Sequence, residues 1–439
     1  MPQTKRAKNY KYAVGSSILS KVATTASQLL LMPLAASSLG VDGFALYVML
    51  IATAGWLSLS NLGIGPTLSI RIAQNATSGT QLQEGQLFSS ALACSLALSL
   101  IVALSATAAV HLIPIDIFFG PTYAQDETTI KWALTILIIA YFIQTNVSIF
   151  EAAQAGLQQQ HILNVVTALS SIPTILAIVV AAQWHPNPVS ILCAGIIPTL
   201  TIRLAHAVWL AKTNSSLVPR HRSFDASTAQ NLCLNGSTYA LAGTVGNFVS
   251  HVLPIMLIGR ALDSTQTSAF AAVLSLIILL SGVTAMIATP AIPAIASSFA
   301  NGERVWVHRV YRNLLSVGMT FSLAVAAGLY FFGQHIISIW MRGVITATPE
   351  LLIAAAIYFI ASTWEVIHFT VLIALRKIHT PSLLILSRSL AGAVAIFVLL
   401  PYGGVALPFA AMTIAIVLID MIPLQRILTR TLSAAPTSS

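Results

Sequence analysis

The sequence predicts an all-α polytopic membrane protein with about twelve transmembrane helices, arranged as two pseudo-symmetric six-helix bundles around a central cleft with both termini cytoplasmic. Three observations carry that prediction. First, 56% of the 439 residues are hydrophobic and only 8% are charged, whereas a soluble domain is roughly a quarter charged. Twelve acidic and 21 basic side chains cannot cover a globule of this size in water, so most of the outer surface must face lipid. Second, the apolar residues form runs of about 20, the length of a spanning helix, without the alternation of barrel strands. Helices are required because lipid cannot satisfy backbone polar groups. Third, the basic residues concentrate on alternate connections, as the positive-inside rule demands.

In order, the apolar runs occupy residues 13–36, 44–70, 87–113, 130–150, 162–183 and 189–211, then 231–259, 267–296, 314–340, 350–375, 382–400 and 404–425. Lys5 to Lys11 ahead of the first run resemble a signal peptide, but that run is too long for an h-region and more spans follow, so it reads as a retained helix. With a cytoplasmic N-terminus, the inner side holds Lys5, Arg6, Lys8, Lys11, Arg71, Lys212, Arg220, Arg222, Arg304, Arg309, Arg312, Arg376, Lys377, Arg426 and Arg430. Only Lys131, Arg260 and Arg342 fall outside. The even span count follows from that asymmetry. The polar stretch 212–230 separates the runs six from six. The expected organisation is therefore an N-terminal bundle 1–211, a cytoplasmic linker 212–230, a C-terminal bundle 231–425 and a tail 426–439. Sliding the second half back by 221 residues aligns Gly15 with Gly236, Ser16 with Ser237, Pro33 with Pro254 and Asp42 with Asp263; Pro66 meets Pro290 after a three-residue slip. These turn and kink positions suggest a parallel internal repeat.

The net charge of +9 is dispersed over several cytoplasmic segments without interleaved aromatics, which points to anionic membrane lipid and away from nucleic acid. Cys94, Cys193 and Cys233 sit in apolar runs without C-x-x-C or metal-ligand spacing and read as packing residues. No phosphate-cradling glycine loop, H-E-x-x-H or serine elbow appears, so no catalytic residue, cofactor or metal is expected and the chain does not read as an enzyme.

Ionisable residues inside spans are costly unless paired or wetted, which makes them functional candidates. Five are expected: Lys21, Arg203, Glu365, Arg388 and Asp420. All lie within roughly 17 Å of the inner face, in the cytoplasmic half of a ~30 Å core. One reading has Lys21, Arg203 and Arg388 snorkel to headgroups, with Asp420 close to its helix end. The other places the three cations in a substrate cavity. Glu365 cannot snorkel far, and His368 follows one turn later on the same face. That pair reads either as a helix–helix hydrogen bond or as a coupling or gating site, with Asp420 alongside. Lys21, Thr24, Thr25 and Gln28 share one helical face; Ser237, Thr244, Asn247 and His251 repeat the pattern on the seventh span. Each stripe fits interhelical hydrogen bonding; together they fit a shared cleft. Substrate-binding candidates are thus Lys21, Thr24, Gln28, Arg203, Asn247, His251 and Arg388. Prolines at positions 33, 66, 173, 198, 254, 290 and 293 allow several spans to kink. Residues 303–312 set Arg304, His308 and Arg312 on one face, as a positive-inside loop or a lipid-phosphate-binding surface helix would.

Residues 38–74, SLGVDGFALYVMLIATAGWLSLSNLGIGPTLSIRIAQ, resemble the first hairpin of the Wzx-type polysaccharide-biosynthesis flippases of the multidrug/oligosaccharidyl-lipid/polysaccharide exporter superfamily. The elements that carry the likeness are Leu39, Gly40, Gly43, Tyr47, Leu62, Gly63 and Arg71. The resemblance implies translocation of an undecaprenyl-diphosphate-linked oligosaccharide, an O-antigen or exopolysaccharide repeat unit, across a bacterial inner membrane by alternating access. It also implies a cationic cavity, to which Lys21, Arg203 and Arg388 would contribute, and pathway partners such as a polysaccharide polymerase and glycosyltransferases. The alternatives are a proton- or cation-coupled small-molecule antiporter of the same superfamily and a membrane polysaccharide polymerase or ligase. The last would need a sizeable external loop, and the longest expected here is only residues 114–129.

Overall fold

The structure, a computed structural model, describes residues 3–57, 63–78, 81–219, 224–289, 291–375, 377 and 379–433. The expectations for Leu62, Arg220, Arg222, Pro290 and Arg376 lie outside the described residues, as do the side chains of Lys5, Arg6, Lys8, Lys11, Cys233, Ser237 and Pro293. Among the described residues the chain is helical, without a strand. It divides into two compact units, residues 1–241 and 242–439.

The first unit contains α1 (Gln3–Leu57), α2 (Ile64–Ser78), α3 (Gln81–Leu112), α4 (Ile115–Phe119), α5 (Glu127–Gly156), α6 (Gln160–Trp184) and α7 (Pro188–Thr213). α8 (Ala226–Asn247) leads into the second unit. There follow α9 (Leu253–Ala261), α10 (Ser264–Ala288), α11 (Ala291–Ala300), α12 (Arg304–Trp340), α13 (Pro349–Ala374), α14 (His379–Gly403), α15 (Leu407–Ala415) and α16 (Ile422–Ser433). The starts of several helices are written in the sequence. Asn187 and Ser190 form a reciprocal capping box at α7, and the Asp263 carboxylate accepts from the Gln266 amide at 2.7 Å to open α10. Both satisfy amides that the first helical turn leaves unpaired.

Ten helical runs among the described residues are long and apolar enough to cross a membrane, two fewer than the twelve expected. The difference has two sources. α1 is two helices that meet at Gly40, whose φ of 69° and ψ of −175° are not helical, so the expected span 13–36 and the first part of 44–70 stay distinct while forming one continuous run among the ten. Glycine lacks the Cβ that would strain this backbone. The expected seventh span, which falls on α8, a π-helical turn at Phe248–Val252 and α9, is not among the ten. A second π turn, Ile416–Met421, separates α15 from α16.

Within the first unit α1 packs along α6 and α6 along α7, while α5 lies among α2, α3 and α7. Gly156 permits the close approach of α5 to α2: a Cβ there would stand 2.7 Å from the Ser69 carbonyl oxygen. Leu68, Ile72, Phe88, Ile149 and Ala153 close this core. Within the second unit α13 is the central helix, touching α10, α11, α12 and α15. Large apolar residues such as Tyr330, Phe331, Phe332 and Phe397 remain exposed on the outside, which lipid, and not water, accommodates.

Candidate functional site

Each unit holds its own buried ionic group. In the first, Arg203 of α7 meets Glu151 of α5 side on: Nε donates to Oε1 at 2.5 Å and Nη2 donates to Oε2. Two parallel charge-assisted bonds are the strongest way to hold a carboxylate. Glu151 is buried, so the guanidinium offsets a desolvation cost that a lone carboxylate would not survive. One turn on, Gln154 is fully buried with neither amide atom hydrogen-bonded among the described residues. His206, one turn beyond Arg203, stacks on Trp209 with ring centres 5.6 Å apart.

Lys21 on α1 differs from Arg203. Its side chain is exposed, and among the described residues it makes no ion pair. The Thr24 hydroxyl donates to the Ser20 and Lys21 carbonyls, at 2.9 and 3.1 Å, while Gln28 is exposed on the same helix face.

The second unit holds a three-membered group. Arg388 of α14 places Nη2 3.1 Å from Glu365 Oε1 on α13, and Nε 2.9 Å from Asp420 Oδ2 on the second π turn. The Nε contact is close but not aligned as a hydrogen bond. Exposure is 5% for Arg388, 7% for Glu365 and 0% for Asp420, which overturns the reading in which Arg388 snorkels to headgroups and Asp420 sits at a helix end. Two carboxylates share one guanidinium, so with all three ionised the group carries one excess negative charge. On the first π turn, His251 Nδ1 lies 2.8 Å from Asn247 Oδ1. Such turns are uncommon and recur at functional sites; here they carry His251 and Asp420.

Glu365 and His368, expected to act together, turn to different partners. Positions i and i+3 diverge by about 60° around a helix, and His368 is fully buried in a separate network. Its Nδ1 lies 2.8 Å from the Trp364 carbonyl, its Nε2 2.7 Å from Gln425 Oε1 and 2.8 Å from the Tyr311 hydroxyl. The Trp364 indole stacks on the ring at 3.6 Å. A carbonyl only accepts, so Nδ1 donates. With the Gln425 oxygen facing Nε2, a second ring proton satisfies every contact; a neutral ring is satisfied once that amide turns over.

Residues 12–299 match the family described as polysaccharide biosynthesis protein. The chain belongs to that family. No curated protein matches it by sequence. Among solved structures it resembles a multidrug resistance MATE family transporter of the MOP superfamily in its inward-facing conformation, with TM-score 0.74 and 15% identity over 96% of this chain and 100% of that one. It also resembles the lipid II flippase MurJ in an inward closed conformation, with TM-score 0.72 and 14% identity over 94% of this chain and 87% of that one. At such identities the likeness establishes the fold, which is that of MATE and MurJ. This member of the polysaccharide biosynthesis family is therefore a multi-span membrane protein whose structural neighbours are a transporter and a flippase.

In this family member, sequence reasoning missed Glu151, because the fourth span was ended at residue 150 whereas α5 continues to Gly156. Its signal was present: a carboxylate directly following an apolar run, with an arginine in a later run. Tyr311 and Gln425 were missed because neither is charged, and only tertiary packing brings them to His368. The three expected cations thus divide into two kinds. Arg203 and Arg388 are neutralised by carboxylates of their own unit, whereas Lys21 is not.

Proposed function

We propose that this family member is a flippase that moves an undecaprenyl-diphosphate-linked oligosaccharide, a repeat unit of O-antigen or exopolysaccharide, across the bacterial inner membrane by alternating access. The observation that carries this reading is Lys21, an intramembrane cation without a carboxylate partner among the described residues. A diphosphate supplies the missing counter-charge, and in a low-dielectric setting the attraction offsets burial of both ions. Thr24, Gln28, Asn247 and His251 offer hydroxyl, amide and imidazole contacts suited to sugars. Arg203 and Arg388, already paired, hold helices and orient the binding surface. The excess negative charge at Glu365, Arg388 and Asp420 suits uptake of a proton or cation during the cycle, with His368 in a gating role. That same acidic excess favours the second reading, a proton- or cation-coupled drug antiporter. Polymerase and glycosyltransferases of the same pathway are the proposed partners.

Deletion followed by analysis of lipid-linked oligosaccharide tests the proposal. Accumulation facing the cytoplasm is expected; intact surface glycan with raised sensitivity to cationic compounds would favour the antiporter. Lys21→Ala should lower translocation roughly 10- to 100-fold, the equivalent of a lost charge-assisted hydrogen bond of about 1.5–3 kcal/mol. Lys21→Arg should retain most of it. Full translocation by Lys21→Ala at normal membrane levels would remove the basis of the cation-binding role.

A further inference from the structure

The first unit carries a separate groove that neither Arg203 nor Glu151 lines. It has a volume of about 780 Å³ and runs between α3, α5, α7 and the short 3₁₀ turn after α7. Its walls are mostly apolar, formed by residues such as Phe142, Phe150, Leu204 and Val208; Asn146 also lines it, with its side-chain amide hydrogen-bonded to Ser95, Ser99 and the Phe142 carbonyl, and Lys212, Thr213 and Ser215 form a polar end. From Leu204 to Lys212 it follows α7 for about 12 Å at 1.5 Å per residue. α5 and α7 run in the same direction, separated by the single helix α6, so Phe150 lies level with the Lys212 end and Phe142 with the deep end.

The lining restricts what can occupy this groove. A wholly apolar molecule would cover the walls and leave Lys212 unanswered; among the described residues Lys212 makes no ion pair. A soluble anion would pair with Lys212 and leave the apolar walls bare. An amphiphile with a negative head and a hydrocarbon chain answers both. Lys212 stands in the last turn of a membrane-spanning helix, with half-exposed Trp209 one turn before it. Lysine and tryptophan at a helix end mark headgroup depth. The volume is in the range of small-ligand sites, and Leu204 and Val208 are themselves half-exposed, so the groove opens sideways to the bilayer. We infer that it binds an anionic phospholipid of the surrounding membrane, with the phosphate at Lys212 and Ser215 and one acyl chain along α5 and α7.

The test uses the full chain purified in detergent and native mass spectrometry with phosphatidylglycerol or phosphatidylcholine carrying the same acyl chains. The wild type should retain phosphatidylglycerol at least fivefold better. Lys212→Gln should erase that preference, and Ala211→Trp, which fills the polar end, should abolish retention of both lipids. Circular dichroism and a monodisperse elution profile establish that each variant is folded. Equal retention of the two lipids by the wild type would overturn the inference, as would an unchanged preference in Lys212→Gln or undiminished retention in Ala211→Trp. Displacement of the phospholipid by equimolar undecaprenyl phosphate would assign the groove to an isoprenoid tail and overturn it equally.

Discussion

Replacing Arg388 by methionine would leave Glu365 and Asp420 facing each other with no counter-charge, at exposures of 7% and 0%. At an effective dielectric of about 20, each contact near 3 Å is worth roughly 5 kcal/mol of Coulomb attraction, most of it offset by desolvation. What the variant forfeits is the compensation, and removing one partner of a buried pair costs about 3–5 kcal/mol. For a unit of about 200 residues each kcal/mol moves Tm by about 2–4 °C, so Arg388→Met should unfold roughly 10 °C below the wild type. The assay is thermal unfolding of protein in nanodiscs, followed by tryptophan fluorescence and by loss of the monodisperse peak. The triple variant Arg388→Met, Glu365→Gln, Asp420→Asn removes every charge and should recover most of the loss, because a neutral group of similar volume carries no desolvation debt. A Tm for Arg388→Met within 2 °C of wild type, or a triple variant no better than the single one, would refute the reasoning.

Three further outcomes are expected. In the first unit, Glu151→Gln and Arg203→Gln should each destabilise strongly, while the double variant should be less harmed than the sum; a double-mutant cycle in nanodiscs should give a coupling of about 1–3 kcal/mol, and a value near zero would dissolve the pair. Gly156→Ala should cost about 1–3 kcal/mol by pressing a methyl against the Ser69 carbonyl oxygen and the Ile72 side chain, read as a lower Tm with the secondary structure unchanged. Asp225, ahead of α8, accepts from the Ser227 hydroxyl at 2.7 Å and the Thr228 amide at 2.8 Å, and these hydrogen bonds hold its carboxyl down at about 2. A depressed carboxyl contributes stability above its ordinary value near 4, and that contribution fades as pH falls toward 2. The wild-type advantage over Asp225→Asn should therefore be full at pH 6 and shrink between pH 4 and pH 2.5; an advantage independent of pH would disprove the assignment.

The membrane class was legible because it rests on composition, and most helices were legible because lipid admits few alternatives for the backbone, but the expected run 44–70 falls on two elements, α1 ending at Leu57 and α2 beginning at Ile64, and α12 begins at Arg304, ten residues before the expected 314. What failed were inferences that measured depth along one helix. Asp420 lies six residues from Arg426 and looked peripheral, yet α13 and α14 cover it completely. Arg388 looked long enough to reach headgroups, but the carboxylates that detain it come from positions 365 and 420, on other elements. Glu151 escaped notice because it stands one residue beyond the expected end of its span, while α5 runs on to Gly156. Gly40 was read as lying between two runs, and its non-helical backbone does divide α1 there into two helices. The π turns left no trace in the pattern of apolar residues, since one extra residue per turn is lost among neighbours that are apolar on every side.

Those two π turns act like dislocations in a crystal. Each stores one surplus residue, and a dislocation can glide: if the surplus moved along the chain, every residue it passed would turn by about 100° and advance by about 1.5 Å while the helix on either side stayed intact. Asp420 lies within one such stretch and His251 within the other. Glide past Asp420 would swing its carboxylate away from Arg388 while the helix on either side stayed intact.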